Sequence, residues 1–401
     1  MTSVLEDRLL LRLEAPFFAA ANFTAMLFFS RLRKALDEAA HEHIKAALEY
    51  TASGDHERAL IEYERALVRS PDDSSILMDA GQLAQEMHRY PQAIRWFRRA
   101  LELQYQNSRA LKGLAFALHA TGEIDEAIYR YYRYLDANRD DYDALLNLSA
   151  LFLDSARYEE AIEYSVRASS VKPGAAAPYY NIALANFNLG KFDRAEGNIR
   201  RAIEIEPTAD SFRLFGDILE TLGQFEKAIE QYQRAIDLNP AFAEAWIDVA
   251  RMHEKLQRPA EYLKAALEAV ALSERDAAQP KDLSLAYWDL GWAYYQNGDL
   301  TKSAEASRKA VDLTPEAAPP RFNLGLALLL LGEVDEARQQ YQMAVKRSRR
   351  SNIKGDGIDD LQAVLRKRPD LEGGQEILNM LLAEYKNAEK HRPPRGLSPH
   401  A

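Results

Sequence analysis

The 401-residue chain contains no cysteine. That excludes a disulfide framework, a thiolate metal site and a cysteine nucleophile, and it fits a reducing compartment, so a cytoplasmic location is expected. Positive charge is also short: 51 Lys and Arg stand against 61 Asp and Glu, a formal charge of -10. Nucleic-acid affinity rests on neutralising phosphates with Lys and Arg, so nucleic acid is not an expected partner. The one strong basic cluster, KRSRRSNIK from Lys346, reads as a solvated helix end. Catalytic signatures are missing as well. No phosphate-cradling G-x-x-x-x-G-K-[ST] loop, no G-x-G-x-x-G fingerprint and no G-x-S-x-G elbow occurs. His41 and His43 are two apart, so on a helix they do not share a face as paired ligands must. The acidic pairs Asp140–Asp141 and Asp359–Asp360 fall at turns or helix ends, where negative charge is favourable anyway. The chain therefore reads as non-catalytic, with no metal or cofactor.

What is present is core material: 47% of the residues are hydrophobic and 28% charged, enough to bury a large interior. It is organised as a repeat. ALIEYERAL begins at Ala59, AIRWFRRAL at Ala93, AIYRYYRYL at Ala127, AIEYSVRAS at Ala161 and AEGNIRRAI at Ala195, each about 34 residues after the last. AIEQYQRAI follows at Ala228, SAEASRKAV at Ser303 and ARQQYQMAV at Ala337. Within each block, small or apolar residues recur at spacings of three and four and so share one helical face. A second helix precedes each block, in which small residues such as Gly81, Ala183, Gly216, Gly291 and Gly325 let the paired helix approach closely. The turns between helices read SGDHE, TGEID, LGKFD, LGQFE, NGDLT and LGEVD, where glycine can adopt the left-handed conformation that ends the first helix. Pro71, Pro173, Pro207, Pro240 and Pro315 close several units.

This pattern resembles the tetratricopeptide repeat (TPR) family, matched closely by Phe212, Phe215, Gly216, Gly223, Ala228, Tyr232, Ala235 and Pro240 and in part by Trp246 to Ala250. The resemblance implies an all-α, right-handed α-solenoid superhelix of helix-turn-helix repeats with terminal capping helices, first helices lining a concave wall. The expected organisation is a hydrophobic N-terminal extension over residues 1–39 and about nine repeats over 40–351. An extra helix and a capping helix follow over 352–390, then a tail over 391–401. Two positions depart from the pattern: Tyr134 and Tyr262 stand where alanine is expected, which predicts looser or skewed packing there. DAAQPKD, Asp276 to Asp282, reads as an added loop.

Residues 1–36 lie outside the repeat register. Ala15 to Ser30, APFFAAANFTAMLFFS, carries no charge but is shorter than the roughly 20 residues of a spanning helix, and it is followed by Arg31, Arg33 and Lys34. Three readings stay open: a lid on the first repeat, insertion at a membrane surface through Phe17, Phe18, Phe28, Phe29, Arg31 and Arg33, or a true span. The second makes the chain a membrane-associated assembly factor at the inner face of a membrane.

By analogy with TPR arrays, the first-helix positions facing the groove are Arg109, Lys112, Phe116, Asn147, Tyr180, Asn181, Phe187, Asn188 and Asn323. Asn147, Asn181 and Asn323 are equivalent, and an asparagine ladder can grip the main chain of a peptide without reading its sequence. Gly113, Leu214, Asp248 and Asp289 interrupt it. The aromatic stretch AYWDLGWAYYQNGDL from Ala286 is read with Tyr287, Leu290, Gly291 and Tyr294 buried, and with Trp288, Asp289, Trp292 and Tyr295 in the groove. Two bare indoles forfeit several kcal/mol, at about 25 cal/mol per Å² over roughly 150 to 250 Å² each, so either the protein's own segments or a partner must cover them. The expected function is a scaffold that binds a peptide or helical segment of another protein.

Overall fold

The computed structural model describes residues 38–348 and 353–390. The N-terminal membrane-contact candidates, the tail over 391–401 and residues 349–352 of the basic cluster lie outside them. Every regular element among the described residues is helical. The chain divides into two compact units, one ending at Leu189 and the other beginning at Gly190.

The first unit runs through α1 (38–52), α2 (His56–Arg69), α3 (Ser74–Glu86), α4 (Tyr90–Leu103), α5 (Ser108–Ala120), α6 (Ile124–Ala137), α7 (Tyr142–Asp154), α8 (Tyr158–Val171) and α9 (Ala176–Asn188). Consecutive helices pack on each other along its length. Acids and an amide cap three of the first helices: Asp73, Asn107 and Asp141 accept from the backbone N–H groups of Ile76, Ala110 and Ala144. Tyr63, Phe97 and Tyr131 fill the seam of successive pairs, and Ser165 takes the equivalent buried position on α8. Phe97 on α4 is 1% exposed. A Cβ placed on Gly81 of α3 or Gly113 of α5 would stand 2.6 or 2.5 Å from its ring, so glycine is what lets both first helices close on it.

The second unit comprises α10 (Phe192–Ile205), α11 (Ala209–Thr221), α12 (Phe225–Leu238), α13 (Ala243–Lys255), α14 (Pro259–Arg275), α15 (Pro280–Gln296), α16 (Leu300–Leu313), α17 (Pro319–Leu331) and α18 (Val334–Arg347). A π-helix (Ile353–Asp359), α19 (Asp360–Lys367) and α20 (Gly374–Lys390) follow. Tyr232 and Tyr341 play the part of Phe97, each fully buried against a glycine, Gly216 and Gly325. Ile377, Leu378 and Leu381 of α20 join the cluster of Phe322, Leu329 and Tyr341.

Left-handed backbone recurs in the turns. Gly54, Gly122, Gly190, Gly223, Gly298 and Gly332 have positive φ, and His88, Ala156 and Gln257 take the same place in the repeats that lack glycine. Three details differ from the sequence reading. The segment DAAQPKD is a loop only over 276–279, between α14 and α15 of 17 residues each, because Pro280 sits at the start of α15 and Ala277 adopts a positive φ. Packing is not looser at Tyr262, which is 0% exposed and donates its hydroxyl to the Asp289 carbonyl at 2.9 Å. Nor is it at Tyr134, which is buried and donates to Asp141 Oδ2 at 2.6 Å. The helix expected after the repeats is interrupted, beginning as a π-helix through Gly355 and Gly357 before turning α-helical at Asp360.

Candidate functional site

In the first unit, α3, α5 and α7 leave a cavity of about 240 Å³. Arg109, Lys112, Gly113, Phe116 and Asn147 line it together with Gln82 and Tyr131. Arg109 is exposed and donates to Gln82 Oε1 at 2.8 Å and Asp79 Oδ1 at 3.1 Å. Lys112 Nζ donates to both oxygens of Asp141, at 3.0 and 2.9 Å, so it fastens α5 to the cap of α7. Burial works against the Asp141 charge, but Lys112, Tyr134 and the Ala144 N–H together hold its carboxyl below the ordinary value. Phe116 is 36% exposed, with its ring 6.4 Å from that of Tyr90. On α9, Asn181 Nδ2 donates to Ser149 Oγ at 2.8 Å, and Asn188 donates to the Leu184 carbonyl. Tyr180 and Phe187 are half-buried on the same helix. Asn147 and Asn323 each line a cavity of their own unit, Asn323 at 7% exposure, and Asn181 is bonded to its neighbour helix.

The second unit holds a larger cavity, of about 640 Å³, between α11, α13, α15, α17, the π-helix and α19. Trp288, Trp292 and Asn323 line it among six carboxylates, Glu220, Glu254, Asp289, Asp356, Asp359 and Asp360, and two cations, Arg251 and Lys255. The aromatic stretch is mostly covered from within. Trp292 stacks on Tyr295, ring centroids 4.8 Å apart, and both pack against the cluster around Phe322 and Tyr341. Trp292 Nε1 donates to Glu254 Oε1 at 2.6 Å. What remains of the two indoles faces the cavity.

Asp289 lines the same cavity, as its sequence register places it, yet is only 7% exposed, because Arg251 of the preceding first helix reaches its Oδ2 at 3.0 Å. Arg213 and Asp248 make the same link one repeat earlier, at 2.6 Å. Tyr294, expected inside, is half-buried. The register of arginine and aspartate one repeat apart was the available signal for these pairs, but charged residues on a groove face read first as solvated.

Burial, aided by neighbouring acids, raises Asp217 and Asp289 to about 6, and burial with Asp356, Asp359 and Glu254 raises Asp360 to about 7. Between the unfolded value near 4 and these values the folded state binds more protons, so stability falls as pH rises through that window. Asp217→Asn has no such loss while still accepting from the Tyr232 hydroxyl, 2.8 Å away in the native protein. Relative to wild type it is expected to gain about 1–3 kcal/mol between pH 4.5 and pH 7.5, read from urea melts at both pH values; a difference independent of pH would contradict the buried, proton-binding carboxyl.

Comparison with known proteins agrees with this geometry. Tetratricopeptide repeat models match residues 78–143, 281–318 and 289–352, and a further one residues 176–208. A TPR repeat model matches 216–256. Protein CTR9 homolog of Arabidopsis thaliana is 26% identical over 251 residues, 60% of this chain and 23% of that protein. Hsp70-Hsp90 organizing protein 1 of Glycine max is 23% identical over 246 residues, 60% of this chain and 42% of that protein. The chain thus spans less than half the length of either relative. A solved tetratricopeptide repeat protein from Parabacteroides merdae superposes with a TM-score of 0.53 at 16% identity, covering 62% of this chain and 99% of that one, a likeness of fold.

Proposed function

Because this chain belongs to the tetratricopeptide repeat proteins, a family of protein-interaction scaffolds, we propose that it is a non-catalytic scaffold whose first-helix faces hold a segment of another protein. The observation that carries this reading is that each unit opens a cavity on the same face of its first helices, floored by aromatic rings and edged by polar groups. Such a surface recognises a chain by apolar burial and a few oriented hydrogen bonds. The name of the Glycine max relative describes a protein that organises two others, which fits a scaffold. The membrane-associated alternative rests on residues 1–36, outside the described residues; no helix among the described residues is long and apolar enough to cross a membrane.

Phe116 and Asn147 line the cavity of the first unit from exposed and half-buried positions, so altering them disturbs the surface more than the core. The double variant Phe116→Glu, Asn147→Ala is expected to keep its melting temperature within about 3 °C. It should weaken, by about tenfold or more, binding of peptides selected from a random array. A variant that binds every selected peptide as wild type does removes this face from the account.

A further inference from the structure

We infer that the cavity of the first unit seats the phenol ring of a partner's tyrosine, hydroxyl end inward. This rests on the scaffold reading and names the side chain that one of its faces selects. The sign of a missing partner is Tyr131. It is 0% exposed, lines the cavity from α6, and its hydroxyl makes no hydrogen bond among the described residues. The nearby Asn147 amide tempers the rise that burial imposes on its pKa but does not meet it in hydrogen-bonding geometry. A buried hydroxyl without a partner costs free energy that an occupant can restore.

The corresponding tyrosine of the second unit shows what is lacking. Tyr232, at the same place in α12, donates to Asp217 at 2.8 Å and to Glu220 at 3.2 Å. On α5 the position of Asp217 is held by Phe116, and that of Glu220 by His119, which pairs with Asp154 instead. The first unit thus exchanges an internal acceptor for an aromatic ring that is 36% exposed.

A hydroxyl needs an acceptor for its hydrogen and offers its own lone pairs. Lysine and arginine bring donors only, and leucine or phenylalanine brings neither. A carboxylate or phosphate would face Glu86, which accepts only from the neutral Gln82 amide, while both cations of the lining are engaged, Arg109 with Asp79 and Lys112 with Asp141. A phenol both donates and accepts, and its ring covers Phe116. About 240 Å³ has room for it, since about 150 Å³ holds benzene. Asn147, half-buried in the cavity wall, is the side chain that turns to admit the ring tip to the Tyr131 hydroxyl.

The test titrates side-chain analogues into the full chain labelled with ¹³C-methyl methionine, whose Met78 signal reports on the cavity. 4-Methylphenol is expected to bind at least about tenfold more tightly than toluene, with 4-methylphenyl phosphate and n-butylammonium no tighter than toluene. Tyr131→Phe should bring 4-methylphenol and toluene within about threefold of each other. The same variant should keep or raise the melting temperature, because it removes an unsatisfied polar atom. Toluene binding as tightly as 4-methylphenol, a preference that survives Tyr131→Phe, tighter binding of the phosphate or the ammonium ion, or a clear loss of stability in Tyr131→Phe overturns the proposal. If it falls while the Phe116→Glu, Asn147→Ala variant still loses array-selected peptides, the scaffold reading stands. If that variant binds every selected peptide as wild type does, the scaffold reading falls and the tyrosine falls with it.

Discussion

Replacing Arg251 by alanine is expected to destabilise the second unit by about 3–5 kcal/mol at pH 7.5, the cost of leaving a buried carboxylate without its partner. Asp289 is 7% exposed, and the Arg251 guanidinium is its only cation at hydrogen-bond distance among the described residues. Its carboxyl already stands at about 6 with Arg251 present, burial being the main cause. Without the guanidinium that value rises, so below about pH 6 the acid takes up a proton and the penalty shrinks. Two outcomes follow. The loss measured by urea unfolding is large at pH 7.5 and much smaller at pH 5, and the second substitution Asp289→Leu in the Arg251→Ala background restores most of it. A loss below about 1 kcal/mol at both pH values would mean that water, not Arg251, satisfies Asp289.

Phe97→Ala is the second large effect, at about 3–5 kcal/mol for a buried ring removed from a filled seam. Its environment makes the prediction sharper than the size alone. Gly81 and Gly113 flank the ring from α3 and α5, each leaving no room for a methyl group. Gly113→Ala alone should therefore cost about 1–3 kcal/mol through overpacking. In the Phe97→Ala background the clash is gone, and the same change should be neutral or mildly stabilising, since alanine favours a helix. A double-mutant cycle should return a coupling of about 1–3 kcal/mol; additive effects would show that the glycine is tolerated for some reason other than the ring.

These two sites mark what could be read from the sequence and what could not. Small residues in the first helices, aromatics opposite several of them and glycine in most of the turns recur about every 34 residues, so helix pairing and its seam were legible from spacing. The first-unit residues Arg109, Lys112, Phe116 and Asn147 were also placed on one face by register, and they do share a cavity. The face of Asp289 was legible but its burial was not, because periodicity assigns a face, whereas burial depends on Arg251 arriving from a helix 38 residues earlier in the chain. The acidic wall of the second cavity was hidden for a similar reason. Asp359 and Asp360 do lie at a helix start, but the π-helix before them, which has no signature in the repeat pattern, brings them to the same cavity as Trp288 and Trp292. DAAQPKD read as a loop because proline and two acids look like punctuation, yet proline is also suited to the first turn of a helix, where it begins α15.

The central claim is that partners bind on the first-helix faces and not on the outer second helices. Photo-crosslinking measures this directly. A benzophenone amino acid is placed at Phe116 or Trp288 on the inner faces, or at Tyr129 or Val166 on exposed second-helix surfaces, and each variant is irradiated with an array-selected peptide. The account predicts peptide adducts from positions 116 or 288, competed by unlabelled peptide, and none above background from 129 and 166. Adducts confined to 129 or 166 would contradict it.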